Sequence, residues 1–301
     1  MAYDVTALPA YVEQNRLPLL AASVLKGKTV EVINRQSGVK GKAALNIVDI
    51  NAPFQAGNTC GFNASGNDAF SQRIIETFLV KVEKEWCWKD LIGKWNEYEY
   101  RVIAGDKSLA FEEFFLNEIA KKIAEQIERI VWAGDNTIGI TGLLSDLSTG
   151  GATVHQCAGN GPMADIWEAY SHIKESVLDS AVIFVSPSRF RGAVMELVGS
   201  NFYHYNPETP TDEFTIPGTN TRVIKVNGIK ATDSFAGGGV AVSDPIVCAD
   251  PMNLVYGYDI EDSDKAFDVW YSRDNDTIRF RMTTNIGTQV AIPSDCLVAG
   301  N

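Results

Sequence analysis

Between Ser108 and Asp135, in SLAFEEFFLNEIAKKIAEQIERIVWAGD, the apolar residues recur at three- and four-residue spacing. Phe111, Phe114, Phe115, Ile119, Ile123, Ile127, Ile130 and Val131 fall on one stripe of a helix, with Glu112, Glu113, Lys121, Lys122, Glu125, Glu128 and Arg129 on the opposite face. The spacing predicts a helix over residues 109–132, about 36 Å long at roughly 1.5 Å per residue. Ser108 is placed to cap its start, the two glutamates complement the positive end of its dipole, and Gly134 stands where a left-handed residue ends a helix.

Upstream the pattern changes period. Residues 26–46, KGKTVEVINRQSGVKGKAALN, set Lys26, Lys28, Arg35, Lys40 and Lys42 against the single acid Glu31, with too little apolar material to order alone. A Gly/Asn/Ser-rich stretch follows at 54–70. Residues 73–86 then alternate, with Ile74, Phe78, Val80 and Val82 against Ile75, Thr77, Leu79, Lys81, Glu83 and Glu85. Two extended arms joined by a polar loop are predicted. Such a ribbon is marginal in isolation and needs a neighbouring surface.

Downstream, a loop over 135–161 leads to a helix predicted over 162–179, opened by Pro162 and striped by Met163, Ile166, Trp167, Tyr170, Ile173 and Val177. Residues 181–185 read as a buried strand. Ser186 and Pro187 read as N-cap and first residue of a helix ending near Gly199. This strand-then-helix unit suits an α/β subdomain. Residues 201–220 read as a surface loop, and 223–226 and 229–232 as a hairpin turning at Asn227-Gly228. A longer hairpin is predicted over 266–284, with Phe267, Val269 and Tyr271 on one arm, Ile278, Phe280 and Met282 on the other, and Arg279 and Arg281 on the reverse face. Arg273 and Asn275 sit at its tip, and one short strand closes the chain.

Composition narrows the function. The chain has 301 residues, 45% of them hydrophobic, and a formal charge of −12. That charge argues against general nucleic-acid affinity, which needs a basic surface to release counterions. No apolar run is long enough to span a membrane, and the N-terminus lacks a signal-peptide pattern, so a soluble, unexported protein is expected. Cys60, Cys87, Cys157, Cys248 and Cys296 are odd in number and never spaced as CxxC, which predicts buried free thiols in a reducing cytosol.

The chemical motifs are weak. Asp259, Glu261, Asp262 and Asp264 open like a calcium loop, but glycine is missing at its sixth position and Trp270 replaces the bidentate glutamate. Gly237-Gly238-Gly239 has no lysine-serine pair behind it and reads as a turn. His155, His172 and His204 lack metal-protease spacing, and no nucleophile elbow or paired-carboxylate spacing appears. No catalytic residue, metal or cofactor is expected.

The order of these elements resembles the major capsid protein of tailed double-stranded DNA phages, the Hong Kong 97-type fold. The residues that carry the resemblance are the long helix with its terminal Ala133-Gly134-Asp135, the following Gly139–Leu144 run, and the late IRFRMTTNIGTQVAIPSDCLV of residues 278–298. The resemblance implies an α+β fold with an N-terminal arm (1–24), an extended β-loop (25–80), a peripheral domain with the spine helix (81–135), an axial domain (136–250), peripheral strands and hairpin (251–290) and a return to the axial domain (291–301). It implies a non-enzymatic shell subunit that assembles as hexamers and pentamers into an icosahedral virion capsid in the host cytoplasm. Scaffolding, portal and decoration proteins would be its partners, and packaged double-stranded DNA would be contacted weakly. Lys26, Lys28, Lys40 and Lys42 are then expected against acidic patches of adjacent subunits, with Arg273 and Asn275 as further contact candidates. Some members of that family cross-link a loop lysine to a hairpin asparagine; most do not, and no cross-link is expected here. An encapsulin-type nanocompartment packaging a cargo enzyme is the alternative, and a cytosolic α/β enzyme a more distant one.

Overall fold

The computed structural model describes residues 12, 15, 18–19, 21, 23–50, 53–55, 65–66, 68–87, 111–200, 212–259, 267–275 and 277–301. In chain order these form α1 (Lys28–Val32), β1 (Asn34–Ser37), β2 (Lys42–Asp49), β3 (Ala69–Glu76), β4 (Phe78–Cys87), the long helix α2 (Phe111–Ala133), α3 (Leu143–Gly150), β5 (Thr153–Gln156), α4 (Pro162–Ser171), β6 (Val182–Val185) and α5 (Pro187–Gly199). Short strands follow: β7 (Glu213–Thr215), β8 (Arg222–Lys225), β9 (Ser234–Gly237), β10 (Val240–Ser243) and β11 (Ile246–Ala249). The chain closes with β12 (Leu254–Asp259), β13 (Phe267–Ser272), the 14-residue β14 (Thr277–Val290) and β15 (Leu297–Gly300).

Of the stripe its periodicity marks, the long helix buries Ile123, Ile127 and Val131 in the main core and packs Phe115, Ile119 and Ile130 against it; Leu116 and Trp132, outside the predicted stripe, are buried there too. It stops where expected: Gly134 has φ +73° and donates its N–H to the Ile130 carbonyl at 2.8 Å. A side chain at Gly134 would stand 2.3 Å from the Thr141 carbonyl oxygen, so both conformation and space demand glycine. The expected cap at Ser108 and the side chains of Phe111, Glu112, Glu113 and Phe114 lie outside the described residues.

Two sheets flank this helix. In the first, β14 is the axis. One of its edges pairs antiparallel with β4 from Thr277↔Cys87 to Ile286↔Phe78; the other is shared by β13 and then β12. β1 adds to β12 in parallel register, Asn34↔Val255. The second sheet has the order β5-β15-β11-β6-β8-β7. Its strand β6 alternates between two cores: Val182 and Phe184 face the long helix, with the Phe184 ring 5.3 Å from that of Trp132, while Ile183 and Val185 face α4 and α5. α5 begins as predicted, with the Arg189 N–H donating to the Ser186 hydroxyl.

Several expectations need correction. The alternating run 73–86 is two strands in different sheets, cut at Thr77, whose side chain hydrogen bonds with the Val39 carbonyl at 2.9 Å and with the Gly41 N–H. The inward phase reverses there: Ile75 is buried before the cut, whereas Phe78, Val80 and Val82 pack on the core after it. The helix expected over 162–179 ends at Ser171, where the Ser171 hydroxyl and the His172 ring compete for the Glu168 carbonyl. Within the predicted loop, β7 pairs antiparallel with β8, and β8 pairs parallel with β6. No hairpin turns at Asn227-Gly228; that turn lies against the long helix, and a Cβ on Gly228 would be 2.3 Å from the Glu128 carbonyl oxygen. The hairpin comes one element later, β9–β10, turning through the glycine run at Gly238 and Gly239, both with positive φ. Residues 26–37, too polar to order alone, are ordered by docking, with Val30 and Ile33 inside the main core.

Candidate functional site

Among the described residues, a two-stranded ribbon exposes an apolar face. β2 and β3 pair from Lys42↔Glu76 to Asp49↔Ala69. At roughly 3.4 Å per residue the eight-residue arms extend about 27 Å. The register places Ala44 opposite Ile74, Asn46 opposite Gln72 and Val48 opposite Phe70, so these six share one face. Gln72 Nε2 donates to Asn46 Oδ1 at 2.8 Å, and on either side Phe70 is 76% and Ile74 55% exposed. Val48 on the same face, and Ile50 and Phe54 further along the chain, are exposed as well.

The root of the ribbon is fixed by different chemistry. Ile75 is wholly buried with Val39 and Val255. Arg73 Nη1 donates to the Val290 carbonyl at 2.9 Å, and Gln289 Nε2 donates to the Ile74 carbonyl at 2.9 Å. Nearby, burial pushes the Asp146 carboxyl up to about 6, although the Thr141 hydroxyl and the Arg73 charge oppose that shift. One Asp146 oxygen, Oδ2, is buried without a hydrogen-bond partner.

A second polar arrangement joins α1 to the long helix. Glu128, expected on the solvated face, is 3% exposed. It accepts the Thr29 N–H at 3.2 Å and the Thr29 hydroxyl hydrogen, while Trp132 Nε1 donates to that hydroxyl oxygen at 2.7 Å. Burial raises the Glu128 carboxyl above the usual range, and the Thr29 donors oppose the shift. Gly27 makes room: a Cβ there would stand 2.5 Å from Glu128 Oε2. Arg129 is not free on a polar face either. Its Nη2 donates to Asp233 Oδ1 at 2.8 Å and its Nη1 to the Gly228 carbonyl at 2.7 Å.

The sequence-predicted contact residues are distributed around these features. Lys26 and Lys28 line a groove of about 720 Å³ beside the long helix, with Glu31, Glu118, Lys121 and Glu125. Lys40 lies 3.8 Å from Asp259, and Lys42 lies 3.2 Å from Glu76, so both have acidic partners within their own chain. Arg273 and Asn275 occupy the β13–β14 turn, where the Asn275 amide, oriented to satisfy both its groups, accepts from Arg279 Nη2 at 2.9 Å. Along this hairpin Arg279 pairs with Glu85 at 3.0 Å and Arg281 with Glu83 at 3.7 Å. Hydrogen bonds from Lys81 hold Glu83, and from Thr277 and Arg279 hold Glu85, below the usual carboxylate range.

Of the remaining candidates, Asp259 is buried beside Lys40, and Glu261, Asp262, Asp264 and His204 lie outside the described residues. Cys157, Cys248 and Cys296 are buried free thiols, but Cys87 is exposed, because it ends β4 opposite Thr277, beside the turn of the β13–β14 hairpin; Cys60 lies outside the described residues. Sequence reading missed Thr29, Glu128, Arg73 and Asp146. The one local signal for Glu128 is its i,i+4 spacing to Trp132, which puts both on one helical face. Among the described residues no helix is long and apolar enough to cross a membrane.

No protein-family model matches the sequence, and no curated protein matches it. Solved structures of particle shells match almost end to end. The capsid of a native GTA particle superposes with a TM-score of 0.59 at 11% identity, covering 92% of this chain and 89% of that one. A chain of the satellite phage P4 procapsid, in a structure that includes the size determination (Sid) protein, gives 0.57 at 11% identity over 100% and 91%. The virus-like particle from Pyrococcus furiosus gives 0.53 at 11% identity over 95% and 98%. The chain therefore has the α+β fold of phage capsid and procapsid chains.

Proposed function

We propose that this protein is the major shell subunit of a tailed-phage capsid, assembling as hexamers and pentamers around double-stranded DNA in the host cytoplasm. The observation that carries the reading is the β2–β3 ribbon: it exposes Phe70, Ile74 and Val48 on one face, in a chain that matches a capsid structure over 92% of its length. Exposed apolar surface on a protruding ribbon is an aggregation liability in a monomer and a contact in an assembly. Shell closure then distributes binding energy over many repeated contacts.

In this reading residues 1–24 form the arm and 25–80 the extended loop, with the ribbon as its reaching part. The long helix is the spine of a peripheral domain over 81–135, completed by 251–290. The second sheet belongs to an axial domain over 136–250 and 291–301. Lys26, Lys28, Lys40, Lys42, Arg273 and Asn275 meet neighbouring subunits, and scaffolding, portal and decoration proteins are further partners. The subunit performs no catalysis. An encapsulin-type shell is the second reading, favoured by the near-complete mutual coverage with the Pyrococcus particle. Nuclease treatment of particles from the native source separates the two: protected genome-length DNA supports the phage capsid, and a packaged enzyme without DNA supports the nanocompartment.

A further inference from the structure

Outside the surfaces above, the turn after β5 meets α4 in a cluster of ligand-type side chains. The thiol of Cys157 and one carboxylate oxygen each from Asp165 and Glu168 lie within 4.8 Å of one another. The positions follow from the fold: Asp165 and Glu168 are three residues apart on one face of α4, and Cys157 is brought to them where its N–H donates to the Gly300 carbonyl at 2.6 Å.

Two features separate this cluster from an ordinary buried ion pair. Asp165 is 2% exposed; its Oδ2 accepts from Arg189 Nη1 at 2.6 Å, but its Oδ1 is buried and has no hydrogen-bond partner. A buried carboxylate oxygen left unpartnered has lost its water and gained nothing in return. The charges are also unbalanced. Asp165 and Asp244 share one guanidinium, that of Arg189, which bonds to both. Glu168 is already oriented, with Oε1 2.8 Å from His155 Nε2 and Oε2 accepting from the Ala158 N–H at 3.0 Å. His172 stacks on His155 with ring centroids 3.7 Å apart, which fixes that imidazole in turn.

We propose that Cys157, Asp165 and Glu168 form a structural site for a thiophilic divalent cation of the zinc class, with His155 as the residue that positions Glu168. A thiolate among the donors selects zinc, cadmium or cobalt over calcium and magnesium, which prefer all-oxygen shells. Bonds of roughly 2.3 Å to sulfur and 2.0–2.2 Å to oxygen require the three atoms to draw in by about an ångström. Asp165 Oδ1 gains the partner it lacks, the cysteine S–H releases its proton to solvent as the metal–sulfur bond forms, and water fills the fourth position. The ion would tie the edge strand β5 to α4.

Metal-free full-length protein titrated with Zn²⁺ should bind one equivalent per chain, with a rise in melting temperature that Ca²⁺ does not give. Co²⁺ should produce a thiolate charge-transfer band in the near ultraviolet. Cys157→Ser should abolish the band, His155→Gln should weaken Zn²⁺ binding roughly tenfold to hundredfold, and Cys87→Ser, at the exposed thiol, should change nothing. Should Cys157→Ser fail to fold, Glu168→Gln on the partly exposed side of the site carries the test, with weaker Zn²⁺ binding expected. Absence of Zn²⁺ binding, a band that survives Cys157→Ser, a band lost in Cys87→Ser, or unchanged affinity in Glu168→Gln would each overturn the proposal.

Discussion

Strand β14 and the β2–β3 ribbon are written in the same alternating code and meet opposite fates. The inward residues of β14, Ile278, Phe280, Met282, Ile286 and Val290, are all buried by elements of the same chain. On the ribbon, Val48, Phe70 and Ile74 share one face, interrupted by the Asn46–Gln72 pair, and stay exposed. Alternation therefore specifies that an apolar face exists, and only the surrounding topology decides whether that face is core or contact. Under the proposed shell function both outcomes are needed, one to hold the subunit and one to hold its neighbours.

The sharpest way to break the comparison is to damage the covered region. Ile123→Gly on the long helix removes a buried side chain, costing about 2–5 kcal/mol for the cavity and about 1 kcal/mol in helix propensity. Denaturant unfolding should show a subunit that is largely unfolded or of strongly reduced midpoint, and unchanged melting would remove this helix from the structural core.

At the ribbon's root the expected effect is smaller and depends on pH. Because burial raises the folded-state value of Asp146 from 3.8 to about 6, its contribution to stability is complete below the ordinary aspartate range and is lost as pH rises through about 6. Asp146→Asn, which cannot ionise, should gain on the wild type with rising pH, by at most roughly 3 kcal/mol above neutrality. Paired melting curves across the acid-to-neutral range check this. A constant difference would mean that Asp146 ionises as it would in water.

On the bare face the two readouts should separate. Phe70→Ser with Ile74→Ser should leave subunit stability within about 0.5 kcal/mol, since neither side chain is covered, yet sharply lower particle yield by sedimentation. Equal loss of stability and assembly would place this face in the subunit's own core. Least affected of all should be Lys122→Ala. Lys122 pairs with Glu125 at 2.7 Å on the solvated face, and solvent screens such exposed pairs almost completely, so melting and particle yield should both stay at the wild-type level.

Local periodicity made much of this fold legible. The long helix, its stop at Gly134, the Ser186-Pro187 start and the β13–β14 hairpin all depend on neighbours within a few residues. What stayed hidden is set at long range. The burial of Glu128 is decided by Thr29, ninety-nine positions away, and the break at Thr77 by carbonyl and amide groups of residues 39–41. Gly228 looked like a hairpin turn because its true constraint, the backbone of the long helix, is distant in sequence. The basic run 26–42 was legible as charge, but its pairing with Asp259 and Glu76 was not, because those partners belong to other strands.

The proposed shell function assigns assembly to the exposed ribbon face of Val48, Phe70 and Ile74. Negative-stain microscopy of the purified protein across a concentration series tests it most directly. Closed icosahedral particles in the wild type, replaced by free subunits when Phe70 and Ile74 are both serine, are the predicted result. Wild-type protein that stays monomeric at every concentration, or double-variant particles indistinguishable from wild type, would contradict it.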